Sequence, residues 1–161
     1  MEFNSVLIAT DFSDCSGGAF QAAQILASGF DSKLILLHVI DQNFLEKLCR
    51  HLGKKPEELI QKLRTQAEQE IKEFLKKWND RKREVDTLIA VGIPFQEIAV
   101  KARDLAVDLV VMGGYGRKGR RPIDEVFFGS TAEKVVRLLP CPVLCVPPER
   151  PPLRPSAFRP P

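Results

Sequence analysis

The sequence predicts an α/β fold, doubly wound, with a five-stranded parallel sheet and helices on both faces, and three observations carry that prediction. Short, almost continuous apolar runs recur at residues 5 to 9 (SVLIA), 33 to 40 (KLILLHVI), 108 to 113 (DLVVMG) and 142 to 146 (PVLCV), the pattern of strands buried on both faces. Between them lie segments whose apolar residues repeat at helical spacing. Strict alternation of the two, with connections of this length, implies right-handed crossovers between parallel strands.

Residues 5 to 9 form the first strand, and Ser13 or Asp14 caps the helix that follows, with Ala19, Ala23 and Leu26 on its apolar side. After the second strand, residues 41 to 55 (DQNFLEKLCRHLGKK) break the alternation with a short helix and a loop, which either cover a site or decorate the surface. The longest helix starts at Pro56 and carries Ile60, Leu63, Ala67, Ile71, Phe74 and Trp78 on one stripe. EVDTLIAVG, residues 84 to 92, is the third strand in chain order, with a more mixed pattern around Val85, Leu88 and Ile89. Pro94 suits the first turn of the next helix, whose stripe runs Phe95, Ile98, Ala99, Ala102, Leu105 and Ala106. The strand at 108 to 113 leads to a glycine-rich segment, and a helix opening at Gly129 or Ser130 runs through Ala132, Val135, Val136 and Leu139 to a stop at Pro140. The run at 142 to 146 closes the sheet.

A chain of 161 residues fits one domain, here 1–147, followed by a proline-rich tail, 148–161, that neither helix nor sheet can continue into. That tail is an inert extension or a ligand for a protein partner. No apolar run approaches the roughly 18 residues of a membrane span, and the opening MEFNSVLIATDFSD has no basic leader or cleavage site, so a cytoplasmic location is expected. Four scattered cysteines are read as reduced thiols. Cys141 and Cys145 fall on one face of the last strand but about 13 Å apart, too far to share a zinc ion, and are expected to be buried. The net charge of +3 is concentrated at RKGRR (117 to 121) and in the tail, a pattern for local anion binding with no nucleic-acid partner expected.

In an open parallel sheet, ligands bind beyond the carboxyl ends of the strands where the winding direction reverses. After the first strand comes Asp11, whose carboxylate either accepts from ribose hydroxyls and holds a metal through water or serves only as a turn and cap residue. After the second, backbone near Val39 offers hydrogen bonds to the rim of a base, although Val39 reads equally as a core residue. After the fourth comes VVMGGYGRKGRRPIDEVFFGST, residues 110 to 131, where backbone N–H groups and a helix N-terminus converge for anionic oxygens. The P-loop template fails there because no lysine precedes Ser130 and Thr131. The dinucleotide fingerprint is matched by Gly114, Gly116 and Gly119, but RRPID separates them from any helix. A third pattern, GxxG, nine residues, then Gly-Ser/Thr, is satisfied by Gly116, Gly119, Gly129 and Ser130.

With that pattern, the stretches VLIATDFSDCSGGAF, LLHV and GSTAEKVVRLLPCPVLCVP make the chain resemble the universal stress proteins of the ATP-binding type over about residues 3 to 146. The resemblance implies that Ala9, Thr10 and Asp11 lie at the nucleoside, with Asp11 also near a magnesium or manganese ion carried by the nucleotide. It implies that Val39 holds adenine through its backbone, that Met112 and Gly113 border the triphosphate channel, and that Gly116, Gly119, Gly129, Ser130 and Thr131 meet phosphates. In the family the first glycine of GxxG follows the strand's methionine, which here selects Gly113 and Gly116 and leaves twelve residues before Gly129, three more than the pattern. Either the frame slides to Gly116 and Gly119, or the phosphate loop carries an insertion, in which Arg117, Lys118, Arg120 and Arg121 supply charge to phosphates or form a solvated loop. The resemblance also implies a homodimer through the last strand. With only His38 and His51 in the chain, catalytic constellations have few members, so a regulatory ATP-binding module with at most slow hydrolysis is expected; an interaction protein that binds no nucleotide, or a slow ATPase, are the alternatives.

Overall fold

In the computed structural model, residues 3–116, 129–138 and 140–148 are described. Ten elements follow in the order β1 (Ser5–Thr10), α1 (Asp14–Phe30), β2 (Lys33–Asp41), α2 (Gln42–Leu52), α3 (Pro56–Trp78), β3 (Val85–Gly92), α4 (Pro94–Asp104), β4 (Leu109–Gly113), α5 (Ser130–Leu138) and β5 (Val143–Val146). The five strands are parallel in the order β3-β2-β1-β4-β5. From β1 the chain winds outward through β2 to β3, then returns to β1's other side as β4 and continues to β5. The switch point therefore lies between β1 and β4.

Alternation along the strands divides the core into two layers. Val6 and Ile8 of β1 with Leu109 and Val111 of β4 meet Phe20 and Ala23 of α1 and Ile71 and Phe74 of α3. Leu7, Ala9, Val110 and Met112 point the other way, onto Ile98 and Ala102 of α4 and Ala132 and Val135 of α5. The central strands are buried on both faces, as their continuous apolar runs predict.

The last strand departs from that expectation. β5 forms the sheet edge, leaves Leu144 37% exposed, and holds its neighbouring thiols, Cys141 and Cys145, only partly buried. Even so, burial pushes both thiols above the ordinary value of 9.0. Because the folded state favours the neutral thiol, this contribution to stability is complete below that value and is lost as pH rises through the raised folded pKa values. Urea midpoints are thus expected to fall between pH 8 and 10, and to fall less in the Cys141→Ala/Cys145→Ala variant (on the order of two pH units covers the titration).

Helix ends follow their local chemistry. Ser13 caps α1 by accepting from Ser16 N, and Pro56 and Pro94 sit in first turns, where no intrahelical N–H bond is lost. α4 stops earlier than its apolar stripe predicts: Ala106 adopts a left-handed φ of 48°, and Val107 N donates to Ala102 O at 3.0 Å. Leu105 and Ala106 consequently face solvent, and Val107 takes the buried place in a Schellman closure made without the usual glycine.

At the end of the sheet away from its carboxyl edge, Asp108 ties β1 to β4. One oxygen, Oδ2, accepts from Asn4 N and Ser5 N, both at 2.9 Å, and from Ser5 Oγ at 3.2 Å. Asp108→Ala is expected to cost about 1.5 kcal/mol in equilibrium denaturation, as bonds to a charged acceptor do.

Candidate functional site

β1 ends in a turn whose geometry is held from several sides. Thr10 is nearly fully buried; its hydroxyl lies 2.9 Å from Ser16 Oγ and accepts from Phe12 N at 2.9 Å. Since Ser16 Oγ donates to Ser13 O, Thr10 is the donor to Ser16. Asp11 Oδ1 accepts from Ser13 N at 3.1 Å and Ser13 Oγ at 2.5 Å. Phe12 then takes a φ of 65°, a conformation costing on the order of 1–3 kcal/mol for a bulky residue. Its ring stacks on His38, centroids 4.3 Å apart, and His38 Nδ1 sits 2.9 Å from Thr10 O. A carbonyl only accepts, so Nδ1 carries the proton. His38 thus packs on Phe12 and also lines the cleft described below.

β4 ends directly opposite. Gly113 lies against Cys15 in the first turn of α1, where an added Cβ would meet Sγ at 2.9 Å and backbone carbon at 3.1 Å. Gly114 N donates to Val146 O at 2.8 Å, and Gly129 N donates to Gly114 O at 2.7 Å. Gly129 O in turn accepts from Glu133 N, the first bond of α5. These bonds bring Gly129 and the N-terminus of α5 onto the end of β4 although twelve residues separate Gly116 from Gly129. A Cβ at Gly116 would stand 3.2 Å from Asp11 Oδ2. The ends of β1 and β4 and the start of α5 therefore enclose one space.

That space is a cleft of about 990 Å³. Ala9, Thr10, Asp11, Val39, Met112, Gly113, Gly116, Gly129, Ser130 and Thr131 all line it. Gly119 and the basic side chains at 117, 118, 120 and 121 lie outside the described residues. The insertion at 41 to 55 covers the site: α2 sends Phe44 and Leu48 to its wall. Residues from α3 and the start of α4, including Gln66, Glu70 and Pro94, also line it and were not among the residues read from the sequence as site residues. Pro94 had a signal, since it follows the third strand as Asp11 follows the first. Gln66 and Glu70 had none, because a polar residue on a charged helix looks the same whether it faces solvent or a cleft.

Backbone N–H groups at a helix start, glycines without side chains and a carboxylate across from them suit a ligand with both hydroxyl and anionic groups. Among the described residues, no three His, Cys, Asp or Glu side chains gather to hold a metal ion, and no helix is long and apolar enough to cross a membrane. Together these features define a doubly wound α/β domain with a cleft at its switch point.

The universal stress protein family matches over residues 2–147. Universal stress protein MJ0577 of Methanocaldococcus jannaschii is 30% identical over 156 residues, spanning 89% of this chain and 94% of its own length. The structure solved for MJ0577 superposes with a TM-score of 0.78 at 29% identity, over 94% of this chain and all of that one. Universal stress protein YxiE of Bacillus subtilis is 32% identical over 149 residues, 89% of this chain and 99% of its own. A universal stress protein in complex with cAMP shares the fold, with a TM-score of 0.61 at 21% identity over 92% of this chain and 100% of that one. The chain belongs to the universal stress protein family.

Proposed function

We propose that the protein is an ATP-binding regulatory module with little or no turnover, and that the cleft between β1, β4 and α5 is its nucleotide site. The observation that carries this reading is the closure of Gly129 onto Gly114, which faces the α5 N-terminus and Gly116 toward Asp11. Phosphates then meet backbone N–H groups and Ser130 and Thr131, with Met112 and Gly113 bordering their channel, ribose meets Thr10 and Asp11, and adenine meets the backbone at Val39. The three extra residues relative to the family's spacing fall where the chain leaves and returns to one place, which favours an insertion over a shifted frame. A magnesium or manganese ion fits as cargo of the phosphates, with Asp11 as the carboxylate facing them; it would neutralise phosphate charge. The complex seen for a family member with cAMP is consistent with adenine recognition in this fold.

The test is direct. Nucleotide released on denaturing the purified protein, and a calorimetric titration with ATP and Mg²⁺, are expected to show binding. Absence of both at about 1 mM ATP, a limit of roughly −4 kcal/mol, overturns the proposal. Phosphate release above a blank, lost in Asp11→Ala, would instead make the protein a slow ATPase.

A homodimer through β5 is proposed alongside. β5 is an edge strand, with Leu144 37% and Leu138 52% exposed beside it, and an unpaired edge favours one antiparallel copy. Light scattering at micromolar concentration is expected to give twice the chain mass; a monomer would refute it. The domain boundary near 147, the role of the proline-rich tail as a partner ligand and a cytoplasmic location belong to the same proposal.

A further inference from the structure

A carboxylate carried on a turn is only as well placed as the residues on either side of it. Both neighbours of Asp11 are tied to one side chain, that of His38. The last register pair between β1 and β2 joins Thr10 to His38, and the imidazole Nδ1 donates to Thr10 O at 2.9 Å. On the other side of Asp11 the Phe12 ring stacks on the imidazole face, 27° from parallel, with centroids 4.3 Å apart. His38 is a firm base for both contacts, because β2 is paired on its two sides there, with Thr10 of β1 and Ile89 of β3.

Phe12 shows what the ring adds. Its φ of 65° is a left-handed conformation that glycine takes freely and a bulky residue takes at a cost. That cost is offset by the seat of the ring, between the His38 imidazole and the Phe74 ring of α3, whose centroid lies 6.1 Å away at 64°. Thr10, Asp11 and His38 line the cleft, whereas Phe12 is not among the residues that line it. Phe12 therefore acts on a bound ligand through its neighbour Asp11 and not by contact.

We infer that His38 and Phe12 are positioning residues of this site. The imidazole holds the carbonyl before Asp11 by its N–H and the ring after Asp11 by its face, and so keeps the second carboxylate oxygen turned toward Gly116, where the nucleotide meets it. The inference rests on the nucleotide reading above. The two contacts are separable, because an asparagine at 38 offers an amide N–H near the place of Nδ1 without the ring, and a phenylalanine offers the ring without the donor.

Calorimetric titration of the full chain with ATP and Mg²⁺, paired with urea midpoints, tests this. His38→Ala and Phe12→Gly, the second of which keeps the left-handed turn and removes only the ring, are each expected to weaken ATP about tenfold. His38→Asn and His38→Phe are each expected to recover part of the loss. Asp108→Ala, which loosens the opposite end of the sheet, is expected to lower the midpoint and leave ATP affinity as in the parent. In an Asp11→Asn background His38→Ala and Phe12→Gly are expected to cost less than about twofold, because the group they position has already lost its charge. Should His38→Ala not fold, Phe12→Gly and His38→Asn carry the same comparison. If the parent binds ATP and these variants bind it equally well, whatever their midpoints, the inference is overturned while the nucleotide reading stands. A loss that persists undiminished in the Asp11→Asn background also overturns it, since the pair would then act otherwise than through Asp11. If the parent binds no ATP, both readings fall.

Discussion

Gly17→Val is expected to cost about 3 kcal/mol of stability, and Gly18→Ala, one residue on, to add up to ~1 kcal/mol. Both glycines sit in α1, where glycine is a poor helix former. At Gly17 an added Cβ would stand 2.1 Å from Trp78 Cε2 and 2.3 Å from Cζ2, inside the indole ring, so α1 and the end of α3 approach as closely as they do only without a side chain there. Trp78 is itself fixed, tilted against Phe74 at 6.4 Å and under the Lys77 ammonium at 4.7 Å, and cannot swing aside without losing both. At Gly18 nothing lies within 4 Å, so only the helix-propensity gain remains. Urea denaturation followed by tryptophan fluorescence reads both variants, because Trp78 is the one tryptophan in the chain. A Gly17→Val protein as stable as the parent would mean that the indole does not lie on α1.

The same contact shows what a sequence can and cannot reveal. The helical stripe of α3, from Leu63 through Ala67 and Ile71 to Phe74, is legible because burial on one side imposes a 3.6-residue period. That Gly17 matters and Gly18 does not is invisible, since it depends on which side of α1 a helix some 60 residues away comes to rest. The strands divide in a related way. β1, β2 and β4 read clearly because each has neighbours on both sides and layers on both faces, whereas β3 read as mixed. Its position at the sheet edge explains why: Asp86 and Thr87 are exposed, and Asp86 pairs with Lys33 at the surface. β5, equally apolar in sequence to the central strands, is the other edge. Composition does not distinguish a strand buried within its own sheet from an edge strand that leaves an apolar side chain such as Leu144 exposed.

Within the site, residues read from topology were the most legible. Asp11 follows β1 and Gly113 ends β4, the strands flanking the switch point, and the rule that ligands gather there needs only strand order. His38 and Phe12 were harder, since stacking between a strand residue and a turn residue 26 positions earlier leaves no periodic trace. The contribution of α2 and α3 was least legible, because an amphipathic helix covering a cleft and one covering a core carry the same stripe.

Asp11→Asn is expected to weaken ATP binding about 10- to 100-fold, the loss appropriate to a hydrogen bond accepted by a charged group. The amide retains an oxygen for Ser13 N and Ser13 Oγ, both of which now bond Oδ1, so the β1–α1 turn keeps its anchor and the change falls on charge and on the second oxygen. That second oxygen is the one facing Gly116 across the cleft, 3.2 Å from where a Cβ would stand. Gly116→Val is accordingly expected to weaken ATP by a similar factor while leaving the unfolding midpoint within about 0.5 kcal/mol of the parent, since Gly116 is exposed and fills no core. Comparing ATP with 2′,3′-dideoxy-ATP then separates the two roles open to Asp11. If the carboxylate accepts from ribose hydroxyls, the Asn substitution costs little with the dideoxy nucleotide, because the bond it removes is already gone. If it serves the magnesium ion instead, the penalty persists with either nucleotide and shrinks when Mg²⁺ is withheld. A penalty absent for both nucleotides, with ATP still bound, would place the nucleotide elsewhere than against Asp11.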